Sequence, residues 1–235
     1  MYDLEIRNAL VYDRSGKSAY YSNVTINEGK IVYIGEDTHG AKRIVDANGI
    51  ALSPGFIDSH SHSDMVIFEA PHREHVLRME VTTEIAGQCG HSASPDDDTM
   101  SDEIRKSVNG GVLKHFTNAS ELVRGINELE LGPNQHYFTG HGLLRGSVMG
   151  TESRISENHE IERMQNMLKS EILQGSGGIS TGLSYVPGIY SDTRELMMLA
   201  KTAGENGGMY VTHSRSESMG LFDSVQECME SVFRS

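Results

Sequence analysis

The fold is decided by the stretch Pro54-Gly55-Phe56-Ile57-Asp58-Ser59-His60-Ser61-His62-Ser63-Asp64. A short apolar segment follows Pro-Gly and ends in two histidines that are separated by one residue. On a β-strand this spacing places both imidazoles on one face. Two neutral imidazoles on one face can bind a divalent metal ion. A pair of histidines in a polar loop is the alternative interpretation.

The residues before this stretch have the pattern of a small β-domain, which we place at residues 1–53. Alternating apolar residues on either side of Glu28-Gly29 predict a β-hairpin. We expect short antiparallel strands at Leu4–Val11, Val24–Asn27, Lys30–Ile34 and Ile44–Asp46.

After the stretch, strand-like segments alternate with helical ones, which predicts βα units around a parallel sheet. The predicted strands are Gly55–Ser59, Val81–Ala86, His136–Thr139, Gly178–Gly182 and Met209–Thr212. A closed (β/α)₈ barrel takes about 250 residues, whereas about 180 remain here. Residues 54–235 therefore predict an α/β fold with an incomplete barrel of about five βα units.

Between these strands we expect helices near His72–Met79 and Ser120–Leu131, one after the capping box Asp192–Glu195, and one at Leu221–Phe233. A further helix carries a methionine-rich apolar stripe that we assign to the core: Ile161, Met164, Met167, Leu168 and Ile172. In the polar segment from Ser92 to about Thr117, the acidic run Asp96, Asp97 and Asp98 is interpreted as a solvated loop.

Candidate metal ligands follow the predicted strands, where barrels of this type place their chemistry. His60 and His62 follow the first strand, Cys89 the second, His141 the third and His213 the fifth. A set of histidine and cysteine favours zinc over magnesium or calcium. Zinc lowers the pKa of a bound water to about 7 and polarises a carbonyl group, which suits amide hydrolysis. A general base is also needed.

The composition excludes several classes of function. The chain has 235 residues and a formal net charge of −13, so it lacks the basic surface of a protein that binds nucleic acid or anionic membranes. No apolar run reaches the roughly 18 residues of a membrane span. With two cysteines and no signal-peptide pattern, we expect a cytoplasmic protein. We interpret the second cysteine, Cys228, as a core residue.

Several motifs together resemble the amidohydrolase superfamily, in particular its N-acyl-D-amino-acid deacylase (D-aminoacylase) branch. Besides residues 54–64, they are Gly87-Gln88-Cys89-Gly90-His91-Ser92, Gly140-His141-Gly142-Leu143-Leu144-Arg145, Gly178-Ile179-Ser180-Thr181-Gly182-Leu183-Ser184-Tyr185 and Gly207-Gly208-Met209-Tyr210-Val211-Thr212-His213-Ser214-Arg215. The resemblance implies a TIM-like barrel with a small β-sandwich, one or two zinc ions, and a small N-acyl amino acid as substrate.

The same resemblance implies the metal ligands, which are His60, His62, Cys89 and His213. Cys89 matches the cysteine that replaces the carbamylated lysine of dihydroorotases and hydantoinases. Gln88 stands where the family usually has asparagine. For His141, Arg145 and Tyr185 the resemblance implies a role in substrate binding or in the structure.

The family expects a further histidine after strand six and an aspartate, the general base, after strand eight. Both would lie beyond Ser235. Asp58 is placed to support a ligand rather than to act as the base. We therefore expect this chain to be nearly inactive, with open barrel edges through which it could form an oligomer.

Two other functions stay open. A cyclic amidohydrolase of the dihydroorotase or hydantoinase kind would favour a lysine at the end of strand four, where this chain has Ser180-Thr181-Gly182. The second is a non-catalytic, metal-binding half-barrel that oligomerises.

Overall fold

The N-terminal unit, Met1–Gly55, is a β-sheet in the computed structural model of the protein, which describes residues 1–96 and 114–233. Its strands are β1 (Tyr2–Val11), β2 (Tyr20–Asn27), β3 (Lys30–Gly35), β4 (Ala41–Asp46) and β5 (Ala51–Leu52). β2 and β3 form the hairpin predicted around Glu28-Gly29. Ala9, Val11, Val24 and Ala47 form its buried core.

One expectation for this sheet is wrong, because not all of its strands are antiparallel. β1 pairs antiparallel with β2 but parallel with β4 and β5. A parallel pair needs a long crossover connection, and here the β2–β3 hairpin is part of the connection from β1 to β4. Alternation of apolar residues along a strand carries no information about the direction of its neighbour.

The second unit, Phe56–Ser235, has mixed α/β structure. Its strands are β6 (Phe56–Asp58), β7 (Val81–Ala86), β8 (Asn134–Tyr137), β9 (Thr139–Gly140), β10 (Gly178–Gly182) and β11 (Met209–His213). They form two parallel sheets, in the orders β6-β7-β8 and β9-β10-β11.

A single residue, Phe138, separates β8 from β9 and links the two parallel sheets. Its N–H donates to the carbonyl of Ala86 on β7, while the carbonyl of Tyr137 accepts from Gly177 beside β10. The third predicted strand is therefore a bent one that pairs with β7 in its first half and with β10 in its second half. If β8 and β9 are counted as one bent strand, the five strands lie side by side in the order in which they occur in the chain.

The described helices are α1 (Glu74–Leu77), α2 (Ala119–Asn127), α3 (His141–Met149), α4 (Asn158–Leu173), α5 (Thr193–Glu205) and α6 (Leu221–Phe233). Asp192 caps α5, since its carboxylate accepts from the N–H of Glu195 at 2.9 Å. The side chain of Glu195 points into the interior instead of returning to the cap. None of these helices is both long and apolar enough to cross a membrane.

Helix α3 was not predicted, and His141 begins this helix rather than ending a strand. The segment contains Gly142 and Gly146, which are poor helix formers. It is also buried along most of its length, so it shows no polar face. A short helix of this kind lacks the amphipathic period by which helices are recognised in sequence.

The methionine-rich stripe of α4 is confirmed as core. Met164 and Leu168 are fully buried, and they pack with Leu144 of α3, Ile179 of β10 and Leu199 of α5. Burying a side chain of this size stabilises a fold by about 1.5–3 kcal/mol. This cluster fixes the helices α3, α4 and α5 against the strand β10.

At its first residue, Asp96, the acidic run differs from the solvated loop that its sequence predicts. Ser92, Ser94 and Asp96 are buried, and the N–H of Asp96 donates to the carbonyl of Phe116 at 2.9 Å. Asp97 and Asp98 lie outside the described residues. The hydroxyl of Ser92 donates to the carbonyl of Ser94 at 2.6 Å and accepts from the N–H of Gly140 at 2.9 Å, and the hydroxyl of Ser94 donates to the carboxylate of Glu171.

Candidate metal centre

Four of the predicted ligands meet where β6, β7 and β11 end. The Sγ atom of Cys89 lies 3.2 Å from Nε2 of His60 and 3.5 Å from Nδ1 of His213. His60, His62 and Cys89 each offer a ligand atom, and these atoms all lie within 4.8 Å of one another. The two histidines lie just beyond β6, not within it, and their ring centroids are 5.6 Å apart. The arrangement can therefore surround one cation with imidazole nitrogen and thiol sulfur.

A left-handed turn after β7 places the thiol. Cys89 has φ +55°, and the flanking Gly87 and Gly90 have φ +71° and +79°. An added Cβ at Gly87 would lie 2.0 Å from the carbonyl oxygen of Phe138, so only glycine fits there. At Gly182, on β10, an added Cβ would lie 2.1 Å from the carbonyl oxygen of Cys89. The missing side chains let the turn lie directly against the neighbouring backbone.

The electrostatic environment of the ligands suits a metal ion. Burial and the nearby His60 lower the pKa of His62, so its imidazole is neutral at neutral pH, as a metal ligand must be. Burial, followed by the charge of Glu217, raises the pKa of the Cys89 thiol. The thiol is therefore protonated in the absence of metal, and metal binding would release its proton.

The residues present fit zinc. His62 Nδ1 is a buried nitrogen without a hydrogen-bond partner among the described residues, and an unsatisfied buried group of this kind is costly unless something binds it. Thiolate and imidazole together are characteristic zinc ligands, and hard cations such as Mg²⁺ prefer oxygen.

His141 and Arg145 do not join the ligand group. Both are fully buried in α3 and face Glu195 of α5, with His141 Nε2 2.6 Å from Glu195 Oε1 and Arg145 bonded to the other carboxylate oxygen. Burial alone would raise the pKa of Glu195, but the hydrogen bond from His141 and the charges of His141 and Arg145 hold that pKa at about 2. For His141 and Arg145 this geometry supports a role in the structure rather than in substrate binding.

Tyr185, which follows β10, borders the ligands. Its hydroxyl oxygen lies 3.5 Å from His213 Nδ1, and the residue is 41% exposed. Asp58 accepts a hydrogen bond from the N–H of His60 at 3.1 Å, as expected of a residue that supports a ligand.

Two neighbours of the site were missed in the sequence. The ring of His91 lies 5.9 Å from that of Tyr185, and Glu217 Oε1 lies 3.6 Å from Nε2 of His213. The sequence signal available for each was its distance from a predicted ligand: His91 follows Cys89 by two residues, and Glu217 follows His213 by four.

Known proteins are similar to this chain in sequence and in structure over nearly its whole length. It is 28% identical over 229 residues to N-acyl-D-aspartate deacylase of Alcaligenes xylosoxydans xylosoxydans, which covers 97% of this chain and 46% of that protein. The crystal structure of N-acyl-D-glutamate deacylase from Bordetella bronchiseptica, complexed with zinc and a phosphonate mimic of the tetrahedral intermediate, matches with a TM-score of 0.90 and 28% identity. That match covers 98% of this chain and 48% of the other.

A D-aminoacylase structure, from a study of its binuclear metal centre, matches with a TM-score of 0.86 and 25% identity over 99% of this chain and 50% of the other. The chain thus spans about half the length of the relatives that it matches. No model of a protein family matches it.

Proposed function

We propose that this chain, whose homologues are N-acyl-D-amino-acid deacylases of the amidohydrolase superfamily, provides the zinc ligands for removal of the acyl group from small N-acyl-D-amino acids. The observation that carries the proposal is the position of Cys89 Sγ, 3.2 Å from His60 Nε2 and 3.5 Å from His213 Nδ1. These three residues and His62 would hold one or two zinc ions.

The chemistry follows from this set of side chains. A bound zinc ion supplies Lewis acidity, which polarises the acyl carbonyl and acidifies a water molecule. The hydroxyl of Tyr185, 3.5 Å from His213 Nδ1, would donate a hydrogen bond to a substrate oxygen. Asp58 keeps the backbone of His60 in position through its carboxylate.

We place these ligands in an incomplete barrel formed by residues 54–235, with residues 1–53 as part of a small β-sandwich domain. Among the described residues, β6 pairs only with β7 and β11 only with β10, so one edge of each strand is open. Open parallel edges favour pairing with further strands, including those of a second copy. The setting we propose is the cytoplasm.

Residues 1–235 assayed alone should hydrolyse amides only weakly. The general base must be a group that can accept and return a proton close to the ligands. Among the described residues, the ligand-atom group contains no carboxylate. Asp58 is engaged by the backbone of His60, and the carboxylate of Glu217 lies against His213.

The test is a metal analysis combined with an amidase assay. After dialysis against zinc and then against buffer, the chain should retain zinc and release amine from N-acyl-D-amino acids faster than from their L enantiomers, at rates far below the 1–10³ s⁻¹ typical of enzymes. A His60→Ala, Cys89→Ala variant is the matched control and should retain less zinc. Failure to retain zinc, or equal release from both enantiomers, would contradict the proposal, and turnover at ordinary enzyme rates would contradict the predicted weakness.

The same samples separate the two alternatives. Hydrolysis of a cyclic imide or ureide in preference to a linear N-acyl amino acid would favour a cyclic amidohydrolase. Bound zinc without hydrolysis, in a discrete oligomer measured by light scattering, would favour a non-catalytic half-barrel.

A further inference from the structure

The residues of the His60–Ser63 segment alternate between two environments. His60 and His62 offer their ring nitrogens to the group that contains Cys89. Ser61 and Ser63, at the alternate positions, are buried and make hydrogen bonds to other side chains. The segment therefore has a ligand side and an anchored side.

The anchor is the carboxylate of Glu84, in the middle of β7. Glu84 is 1% exposed and accepts four hydrogen bonds. One comes from Ser61 Oγ at 2.8 Å, two come from Nε and Nη2 of Arg73 at 3.1 and 2.8 Å, and one comes from Nε2 of Gln135 at 3.1 Å. A buried carboxylate with its oxygens satisfied in this way is rigidly held.

This anchor extends to both sides of His62. The hydroxyl of Ser61 donates to Glu84 and also accepts from the N–H of Ser63 at 3.1 Å. Ser63 Oγ in turn donates to Oε1 of Gln135 at 2.8 Å. Gln135 lies opposite Glu84 in the register between β7 and β8. The side chains of both residues that flank His62 are thus tied to Glu84 on the central strand of the β6-β7-β8 sheet, that of Ser61 directly and that of Ser63 through Gln135.

We infer that Glu84 is a positioning residue, which holds His60 and His62 at the spacing that a metal ion requires and so sets the metal affinity of the site. This inference rests on the proposed zinc site. The ligand segment lies beyond β6, where the backbone pairing with β7 has ended apart from the bond from Ser61 N–H to the carbonyl of Ile85 at 2.9 Å. Asp58 holds the N–H of His60, and the carbonyl of Ser63 accepts from Val66 and Ile67. Between these points the Glu84 bonds add a side-chain anchor. Groups that orient ligands in this way typically change metal affinity by 10–100-fold when they are mutated.

The experiment measures the zinc dissociation constant of the full chain by competition with a chromogenic chelator, alongside thermal unfolding without metal. Glu84→Gln keeps the shape of the side chain but removes its charge, and zinc affinity should fall by about tenfold or more. Ser61→Ala leaves Glu84 bonded to Arg73 and Gln135 and removes its direct link to the segment, together with the acceptor of the Ser63 N–H. It should weaken zinc binding with a smaller loss of thermal stability, so it carries the test if Glu84→Gln fails to fold.

Glu5→Gln is the matched control. Glu5 is also buried, and it also accepts from Nε and Nη2 of an arginine, Arg7, at 3.0 and 2.7 Å. It should lower thermal stability but leave zinc affinity unchanged, which separates a positioning role from general stabilisation. Zinc affinity in folded Ser61→Ala and Glu84→Gln equal to that of the wild type would overturn this inference and leave the proposed zinc site intact. A wild-type chain that binds no zinc would overturn both.

Discussion

Replacing Gly182 with alanine should damage the fold and the metal site together. The new Cβ would lie 2.1 Å from the carbonyl oxygen of Cys89 and 2.7 Å from its carbonyl carbon, both of them backbone atoms that no side-chain rotation can clear. To reach the 3.0 Å below which such contacts essentially never occur, the Cys89 turn and β10 must move apart by about 0.9 Å. Overpacking of this kind costs about 1–3 kcal/mol, and we expect the upper end of that range.

The same displacement should weaken zinc binding, because metal–ligand distances tolerate deviations of only about 0.2 Å. We expect denaturant unfolding of Gly182→Ala to show a loss of about 3 kcal/mol, and chelator competition to show at least about tenfold weaker zinc binding, as for lesser disturbances around ligands.

Gly204→Ala is the matched control, because an added Cβ at this position in α5 meets no atom within 4 Å. Alanine in a helix is favoured over glycine by up to about 1 kcal/mol, so this variant should be as stable as the wild type or more stable. If Gly182→Ala unfolded at the wild-type denaturant concentration and bound zinc equally well, the close packing of β10 on the Cys89 turn would not position the thiol.

Three further predictions concern the helices around the site. Glu195→Ala leaves Arg145 buried without its counter-charge, so chemical denaturation should show a loss of about 3–5 kcal/mol. The pKa of Glu195 is about 2 in the folded chain against an ordinary value of 4.5, so its contribution is complete above pH 4.5 and is lost as the pH falls towards 2. In Glu195→Gln the free energy of unfolding should therefore fall less between pH 4.5 and pH 2 than in the wild type. An equal fall in both proteins would contradict the stabilising role of the Glu195 carboxylate. Asp192→Ala removes the α5 cap and should cost about 1 kcal/mol in the same denaturation assay, while no change would show that the cap is dispensable.

Sequence patterns predicted best the helices and strands whose ends are marked by glycines or polar residues. The bounds of β7, β10 and α6 match the predicted ranges, because glycines or polar clusters flank their apolar residues. The pairing direction of β4 and the helix α3 were not predicted. Strand direction depends on a partner distant in the chain, and α3 is buried too evenly to show a helical period.

The ligands were more predictable than the residues that hold them. His60, His62, Cys89 and His213 stand in strand-end motifs that can be read one at a time. Glu84 is one polar residue within a strand, and its partners lie 23, 11 and 51 residues away in the sequence. Only the fold brings them together, so no local pattern could have indicated that this carboxylate anchors the ligand segment.

The proposed function depends most directly on the claim that Cys89 and its neighbouring histidines bind a metal ion. Cobalt substitution tests this claim, because a thiolate ligand gives Co²⁺ a charge-transfer absorption band. The wild type and Cys228→Ser should both show the band when the apo chain is titrated with Co²⁺, and Cys89→Ser should lack it. A wild-type chain without the band, or a band that persists in Cys89→Ser and disappears in Cys228→Ser, would contradict the claim.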